Sequence, residues 1–132
     1  MRLSVLIPVY QQDVRVLVME LYRQLKATSL SFEISCIDDC SSDEYRIKNR
    51  NLLNPEYPEI RYEELKNNLG RSAIRNRLAM TSSGEFLWFL DCDSMVAGNE
   101  KLTNCFIEKM KRGVLLSGGR IYQADPPENM AK

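Results

Sequence analysis

The residues able to do chemistry in this chain fall into a few short clusters: Pro8-Val9-Tyr10, Asp38-Asp39, Asp91-Cys92-Asp93, and Gly70-Arg71 with Arg75 one helical turn further on. Each acidic pair directly follows an apolar run, Phe32 to Ile37 in one case and Phe86 to Leu90 in the other. A carboxylate in that place is costly to desolvate unless a cation or hydrogen-bond donors meet it. Four such carboxylates in one crevice imply a cation. The sequence contains no histidine, so hard oxygen ligands are expected, and with them Mg²⁺ or Mn²⁺ shared between one or two carboxylates and substrate phosphates. The Gly70 turn supplies the complementary half. A helix opening there presents free N–H groups that suit a pyrophosphate, and Arg71 and Arg75 add fixed positive charge.

Several other chemistries are excluded at once. Without histidine there is no Ser-His-Asp or Cys-His mechanism and no imidazole base or metal ligand. The four cysteines, Cys36, Cys40, Cys92 and Cys105, lack the paired spacing of a zinc knuckle, and Cys36 lies inside an apolar run. With no signal peptide to suggest export, reduced thiols in the cytosol are expected, packed as small hydrophobes. The chain's 132 residues suit one domain, and 44% hydrophobic with 27% charged residues suits a packed core. Lys plus Arg (18) balances Asp plus Glu (18), which gives no overall electrostatic case for nucleic acid or an anionic membrane. No apolar stretch approaches the roughly 20 residues that cross a bilayer.

The elements that must position these clusters are legible as hydrophobic patterns. Leu3 to Val9 reads as a strand buried on both faces, hence central and parallel. Val14, Leu17, Val18, Leu21 and Leu25 recur at helical spacing, with Asp13 placed to cap the start. Phe32 to Ile37 is a second strand, followed by a Cys40-Ser41-Ser42-Asp43 turn and a more polar helix reaching about Leu53. Ile60 to Leu65 is a charged strand for the sheet edge, and Arg71 to Ser82 a helix closed by Ser83-Gly84. Phe86 to Leu90 reads as the strongest strand of all, and Glu100 to Arg112 as a last helix, leading into Val114 to Ser117, a Gly118-Gly119 break and a polar tail. Alternating strands and helices predict an α/β fold with a doubly wound, mainly parallel sheet, whose ligands bind beyond the carboxyl ends of the strands.

With those elements in place, the chain resembles the nucleotide-sugar-dependent glycosyltransferases of family 2, which have the three-layer, Rossmann-like GT-A fold. Four segments carry the resemblance in the family's order: Leu3 to Tyr10, Ile37 to Asp43, Asn68 to Asn76, and Gly84 to Asp93. It implies that residues 1–132 form a donor-binding domain, the N-terminal half of a longer enzyme of polysaccharide biosynthesis type, with 118–132 beginning the acceptor region or an irregular tail. By the same resemblance, Pro8, Val9 and Tyr10 line the nucleoside pocket and Asp38 accepts from the imide N–H of uracil. Asp39 lies near the ribose or supports the loop. Asp91 serves the ribose or sugar side, and Asp93, with Asp91, holds the Mn²⁺ or Mg²⁺ that bridges the diphosphate. Arg71 or Arg75 contacts the nucleotide or buttresses Asp38, and Asn76 is structural.

The implied reaction transfers a sugar from a nucleotide-diphospho-sugar, a UDP-sugar by family expectation, to a hydroxyl of a carbohydrate or lipid-linked acceptor, with inversion. The metal neutralises charge developing on the leaving diphosphate. An inverting enzyme needs a carboxylate base, which the family places downstream of these residues; neither Asp125 nor Glu128 sits in a base motif. The implied location is cytoplasmic, or peripheral to the membrane for the whole protein, and homo-oligomerisation through apolar surface stays open.

Blander or different readings stand beside this one. Both acidic pairs also suit helix-capping turns, Trp88 suits packing, Tyr10 suits either role, and Arg77 suits a solvated helix face. Leu87 to Ser94 resembles the strand-plus-nucleophile motif of haloacid-dehalogenase-type phosphatases, although those carry it on the first strand. A receiver-type signalling domain fits the length but places its acidic pair after the first strand. A fragment that binds a donor and transfers nothing shares every motif.

Overall fold

The computed structural model describes residues 2–95, 104, 107–109, 111 and 112. Among the described residues the order is β1 (Arg2–Val9), α1 (Arg15–Lys26), β2 (Ser31–Asp38), α2 (Asp43–Asn49) with a 3-10 turn (Arg50–Leu52), β3 (Ile60–Glu64), α3 (Arg71–Thr81) and β4 (Phe86–Phe89). The four strands form one sheet in the order β3-β2-β1-β4, and every pairing is parallel. The expected α/β architecture is therefore present, with β1 inside and β3 at an edge. Residues 104, 107–109 and 111 are helical, within the expected last helix. Residues 113–132, including Val114 to Ser117, the Gly118-Gly119 break and Cys105 before them, lie outside the described residues.

Alternation along the strands sorts side chains onto two faces. Leu3, Val5, Ile7 and Val9 of β1 meet Phe32, Ile34 and Cys36 of β2 and Trp88 of β4, and the Leu17, Val18, Leu21 and Leu25 stripe of α1 closes over them. Leu52, after α2, and Ile60 and Tyr62 of β3 extend this cluster. The opposite face is smaller: Leu6, Ile37 and Leu65 against Ile74 and Leu78 of α3. Cys36 behaves as the small buried hydrophobe expected, and burial pushes its thiol up to about 12. Trp88 packs in the core, 8% exposed.

Three expectations need correction. Helix α1 begins at Arg15, with Val14 as its cap residue and no side-chain cap. Asp13 instead accepts from the Arg15 N–H at 3.1 Å and pairs with the Arg15 guanidinium at 2.8 Å. The second helix ends at Asn49 and continues only as the 3-10 turn. The largest difference is β4, expected to be the strongest strand and found to be the shortest, with Leu87 and Phe89 exposed. Register explains it. Leu87 pairs with Ser4 and Phe89 with Leu6, on the α3 face, but α3 packs mainly across β1 and β2.

At the amino-terminal end of the strands that same face is polar. Glu33, 2% exposed, accepts from Ser4 Oγ at 2.6 Å, from the Ser83 N–H at 2.6 Å and from Ser83 Oγ at 2.7 Å, with Arg61 at 3.4 Å. Burial pushes this carboxyl upward, but the Ser4 and Ser83 donors with Arg61 outweigh it and hold it at about 2. The bonds fasten the α3–β4 connection to β1 and β2. Gly84 sits at the same point: a Cβ there would lie 2.5 Å from Ser4 Oγ and 2.6 Å from the Ser4 N.

Two predictions follow from this staple. The folded carboxyl of Glu33 titrates below its ordinary 4.5, so its contribution is complete above that pH and disappears as pH falls toward 2. Glu33→Gln, which removes the acceptor's charge and sets an NH₂ group toward the Arg61 guanidinium, should cost roughly 1–3 kcal/mol at pH 7 in urea unfolding, with a smaller difference at pH 3 than at pH 7. Gly84→Ala forces the chain away from Ser4 and should lower stability by roughly 1–3 kcal/mol; an unchanged urea midpoint would show that the connection yields freely.

Candidate functional site

The carboxyl ends of β1, β2, β3 and β4 release four loops at one rim, and a few hydrogen bonds tie those loops together. The Asp39 N–H donates to the Val9 carbonyl at 2.8 Å, which extends the β1–β2 ladder by one step. The Leu65 N–H donates to the Asp38 carbonyl at 2.9 Å, and the Leu90 N–H to the Leu6 carbonyl at 3.0 Å. The Asp39 carboxylate, on a residue 6% exposed, accepts from the Leu69 N–H at 2.7 Å and the Gly70 N–H at 3.1 Å. Asn68 Nδ2 donates to the Asp39 carbonyl at 3.0 Å. Of the two roles the resemblance implies for Asp39, ribose contact and loop support, its hydrogen bonds perform loop support.

That support sets the start of α3. Gly70 takes φ 90°, a left-handed value that glycine adopts without a Cβ penalty, and the helix begins at the next residue with no side-chain cap. Its first N–H groups therefore point outward unanswered by a capping side chain, beside the exposed Arg71. One turn later Arg75 pairs with Asp91 at 3.0 Å. The resemblance implies that Arg71 or Arg75 contacts the nucleotide or buttresses Asp38; the ion pair of Arg75 is with Asp91. Arg77 pairs with exposed Glu63 at 2.7 Å, as a solvated helix face would, and Asn76 is exposed.

The rim does not hold the four-carboxylate crevice expected from the sequence. Asp38 has no exposed surface, and its Oδ2 accepts from the Ser41 N–H at 2.8 Å. It lies on the α1 face of β2, in line with Ile34 and Cys36. Its Oδ1 is buried with no hydrogen-bond partner among the described residues, so the acceptor that the implied imide contact needs lies beneath the loop that Oδ2 braces. Val9 is likewise buried in the core, with its carbonyl taken by Asp39. Pro8 is half-buried and Tyr10 is 55% exposed; of the three, Tyr10 alone presents its side chain to solvent, and packing does not account for it.

Asp91 and Asp93 are both exposed. Asp93 borders a groove of about 1240 Å³ beside α1, which Gln12, Asp13 and Met95 also line. Between the two acids, burial pushes the Cys92 thiol upward, against the pull of the Tyr10 backbone N–H. The exposed donors on this loop are the carboxylate oxygens of Asp91 and Asp93, which fit Mg²⁺ or Mn²⁺. No cluster of three or more metal-ligating side chains occurs among the described residues.

Several residues that build the rim carried no signal of their own. Asn49, fully buried, accepts from the Val14 N–H at 3.0 Å and donates to the Gln12 carbonyl at 2.8 Å. Gln11 and Ser41 join the first two loops. Each of these side chains satisfies a backbone group, a partnership that residue type alone does not announce.

This parallel α/β arrangement matches that of glycosyltransferases of the GT-A fold. The chain matches the glycosyl transferase family 2 profile over residues 4–130 and belongs to that family. Its fold is similar to that of S. aureus TarS 1-349 in complex with UDP-GlcNAc, at TM-score 0.65 and 23% identity, covering 98% of this chain and 38% of that one. TarS 1-349 in complex with UDP gives TM-score 0.64 and 22% identity, covering 98% and 39%. The mannosyltransferase PcManGT from Pyrobaculum calidifontis, in complex with GDP-Man and Mn²⁺, gives 0.61 and 17%, covering 79% and 31%. No curated protein matches the chain in sequence. The chain thus spans well under half the length of the solved structures it resembles.

The bonds of Asp39 make one prediction. Asp39→Asn keeps the size but replaces one acceptor by an NH₂ group facing an N–H, so the Leu69 and Gly70 amides should exchange with solvent roughly tenfold faster, charged hydrogen bonds being worth about 1.5–3 kcal/mol. Unchanged exchange at both amides would remove Asp39 as the support of this loop.

Proposed function

We propose that this chain is the donor-binding half of a glycosyltransferase, taking a nucleotide-diphospho-sugar at the rim formed by Tyr10, the Gly70 helix start and Asp91 to Asp93. One observation carries the reading: two hydrogen bonds accepted by a single carboxylate, Asp39, fix an uncapped helix N-terminus beside the loop that bears two exposed acids. That pairing of amide donors with carboxylates suits a diphosphate and its counter-ion. A uridine nucleotide is favoured because the TarS structures, which hold UDP and UDP-GlcNAc, cover 98% of this chain. The mannosyltransferase structure, with GDP-Man, covers 79%.

In this reading the α3 N–H groups and Arg71 bind the diphosphate oxygens, and Tyr10 packs against the nucleoside. Asp93 and Asp91 hold the divalent ion, with Arg75 fixing one oxygen of Asp91. When bound, the ion supplies neutralisation of charge on the departing diphosphate. Asp38 and Asp39 act through the loops they brace. The second substrate is a hydroxyl of a carbohydrate or lipid-linked acceptor, attacking with inversion. Its base and binding surface belong to the acceptor half, beginning at residues 118–132. The proposed site of action is the cytoplasm, reaching the membrane surface where the acceptor is lipid-linked. No helix among the described residues is long and apolar enough to cross a membrane.

Calorimetric titration with UDP, with and without Mn²⁺, tests the site. Binding should require the ion, and Asp93→Ala should weaken it by at least about tenfold, the equivalent of 1.4 kcal/mol. Equal affinity with and without Mn²⁺ would remove the metal assignment. Rapid phosphorylation of Asp91 by a small phosphodonor would support the phosphatase or receiver readings instead.

A further inference from the structure

Among the described residues, two that are not glycine take a left-handed backbone: Gln11 at φ 51° and Cys40 at φ 65°. They stand in the two loops that carry Tyr10 and Asp39. Such residues persist only where their surroundings hold them, and they concentrate at functional sites. Here the surroundings are a reciprocal pair of bonds. The Gln11 N–H donates to Ser41 Oγ at 2.8 Å, and the Ser42 N–H donates to Gln11 Oε1 at 2.6 Å. Ser41 is 3% exposed and its own N–H is held by fully buried Asp38. The latch is thus rooted in the sheet. Beyond it, Asn49 holds the same loop at Gln12 and Val14.

We propose that Gln11 is a positioning residue: its left-handed backbone, locked to Ser41 and Ser42, presents the Tyr10 ring to the nucleoside of the donor. This inference rests on the donor-binding reading above and names a residue that sets its geometry. Glycine would take φ 51° without strain, and asparagine takes it more readily than glutamine. Glycine lacks Oε1 altogether, and asparagine is one methylene shorter in reach toward the Ser42 N–H. A glutamine here therefore trades backbone ease for a bond between loops, and that bond is useful where the loop must hold one shape.

The test combines UDP titration in Mn²⁺ with urea unfolding, on the full chain and on Gln11→Gly, Tyr10→Ala and the double variant. Gln11→Gly relieves the backbone and deletes the Oε1 bond. It should keep or raise the unfolding midpoint while weakening UDP binding roughly fivefold to tenfold, a split that a merely structural role would not give. Added to Tyr10→Ala, it should cost less than about a further twofold, because residues acting as a unit are not additive. Wild-type affinity in Gln11→Gly, or effects that multiply, would overturn the proposal. Amide exchange at Ser42 reads the latch without ligand and should accelerate at least about fivefold in Gln11→Gly. If the wild-type chain fails to take UDP, the donor reading falls; the latch itself is then judged by exchange, and unchanged protection at Ser42 overturns it.

Discussion

A carboxylate at the end of a buried strand needs donors, and at Asp39 the donors are the two amides that precede helix α3. The same residue donates its own N–H to Val9 and receives Asn68 on its carbonyl. Three segments distant in sequence are thereby set at one point. Moving the Asp39 carboxylate would move Gly70, and with it the first turn of α3, the level of Arg71 and the reach of Arg75 to Asp91. The orientation of the proposed phosphate-binding amides therefore depends on a group that need not touch the ligand. Hydrogen bonds to an ionised acceptor are among the stronger ones available to a protein.

How much of this was legible in the residues depends on the kind of partner each one has. β1 and β2 read clearly because a strand covered on both faces is apolar almost throughout, and α1 read clearly because its stripe repeats at helical spacing. The apolar run of β4 misled for a physical reason: a run of hydrophobes records that a strand is apolar, but not how far the covering helix extends over it. Leu87 and Phe89 face the α3 side and stand exposed because α3 lies across β1 and β2. Glu33 carried no signal within its strand, although its carboxylate accepts from Ser4 and from both donors of Ser83.

The candidate site divides along the same line. Its residues were legible by type and position, since acids, a glycine and arginines at strand ends are visible in any sequence. Their partners were not. Asp39 spends its carboxylate, and Asp38 one of its two oxygens, on backbone amides, and an amide has no letter of its own. Gln11, Ser41 and Asn49 were silent for the same reason, each being a common polar residue until its distances to Ser42, Gln11 and Val14 are known.

Burial then separates the acids by role more sharply than residue type does. Asp38, Asp39 and Glu33 are 0%, 6% and 2% exposed, and each accepts at least one hydrogen bond from a backbone N–H. An acid so engaged has little to offer an incoming cation, because binding would first require those amides to be abandoned to a low-dielectric interior. Asp91 and Asp93 are exposed, so an ion can reach them without dismantling the fold. Their carboxylate oxygens are the exposed ligand chemistry on that loop. Recruitment of a divalent ion therefore falls on the loop after β4, while the loops after β1 and β2 supply its fixed surroundings.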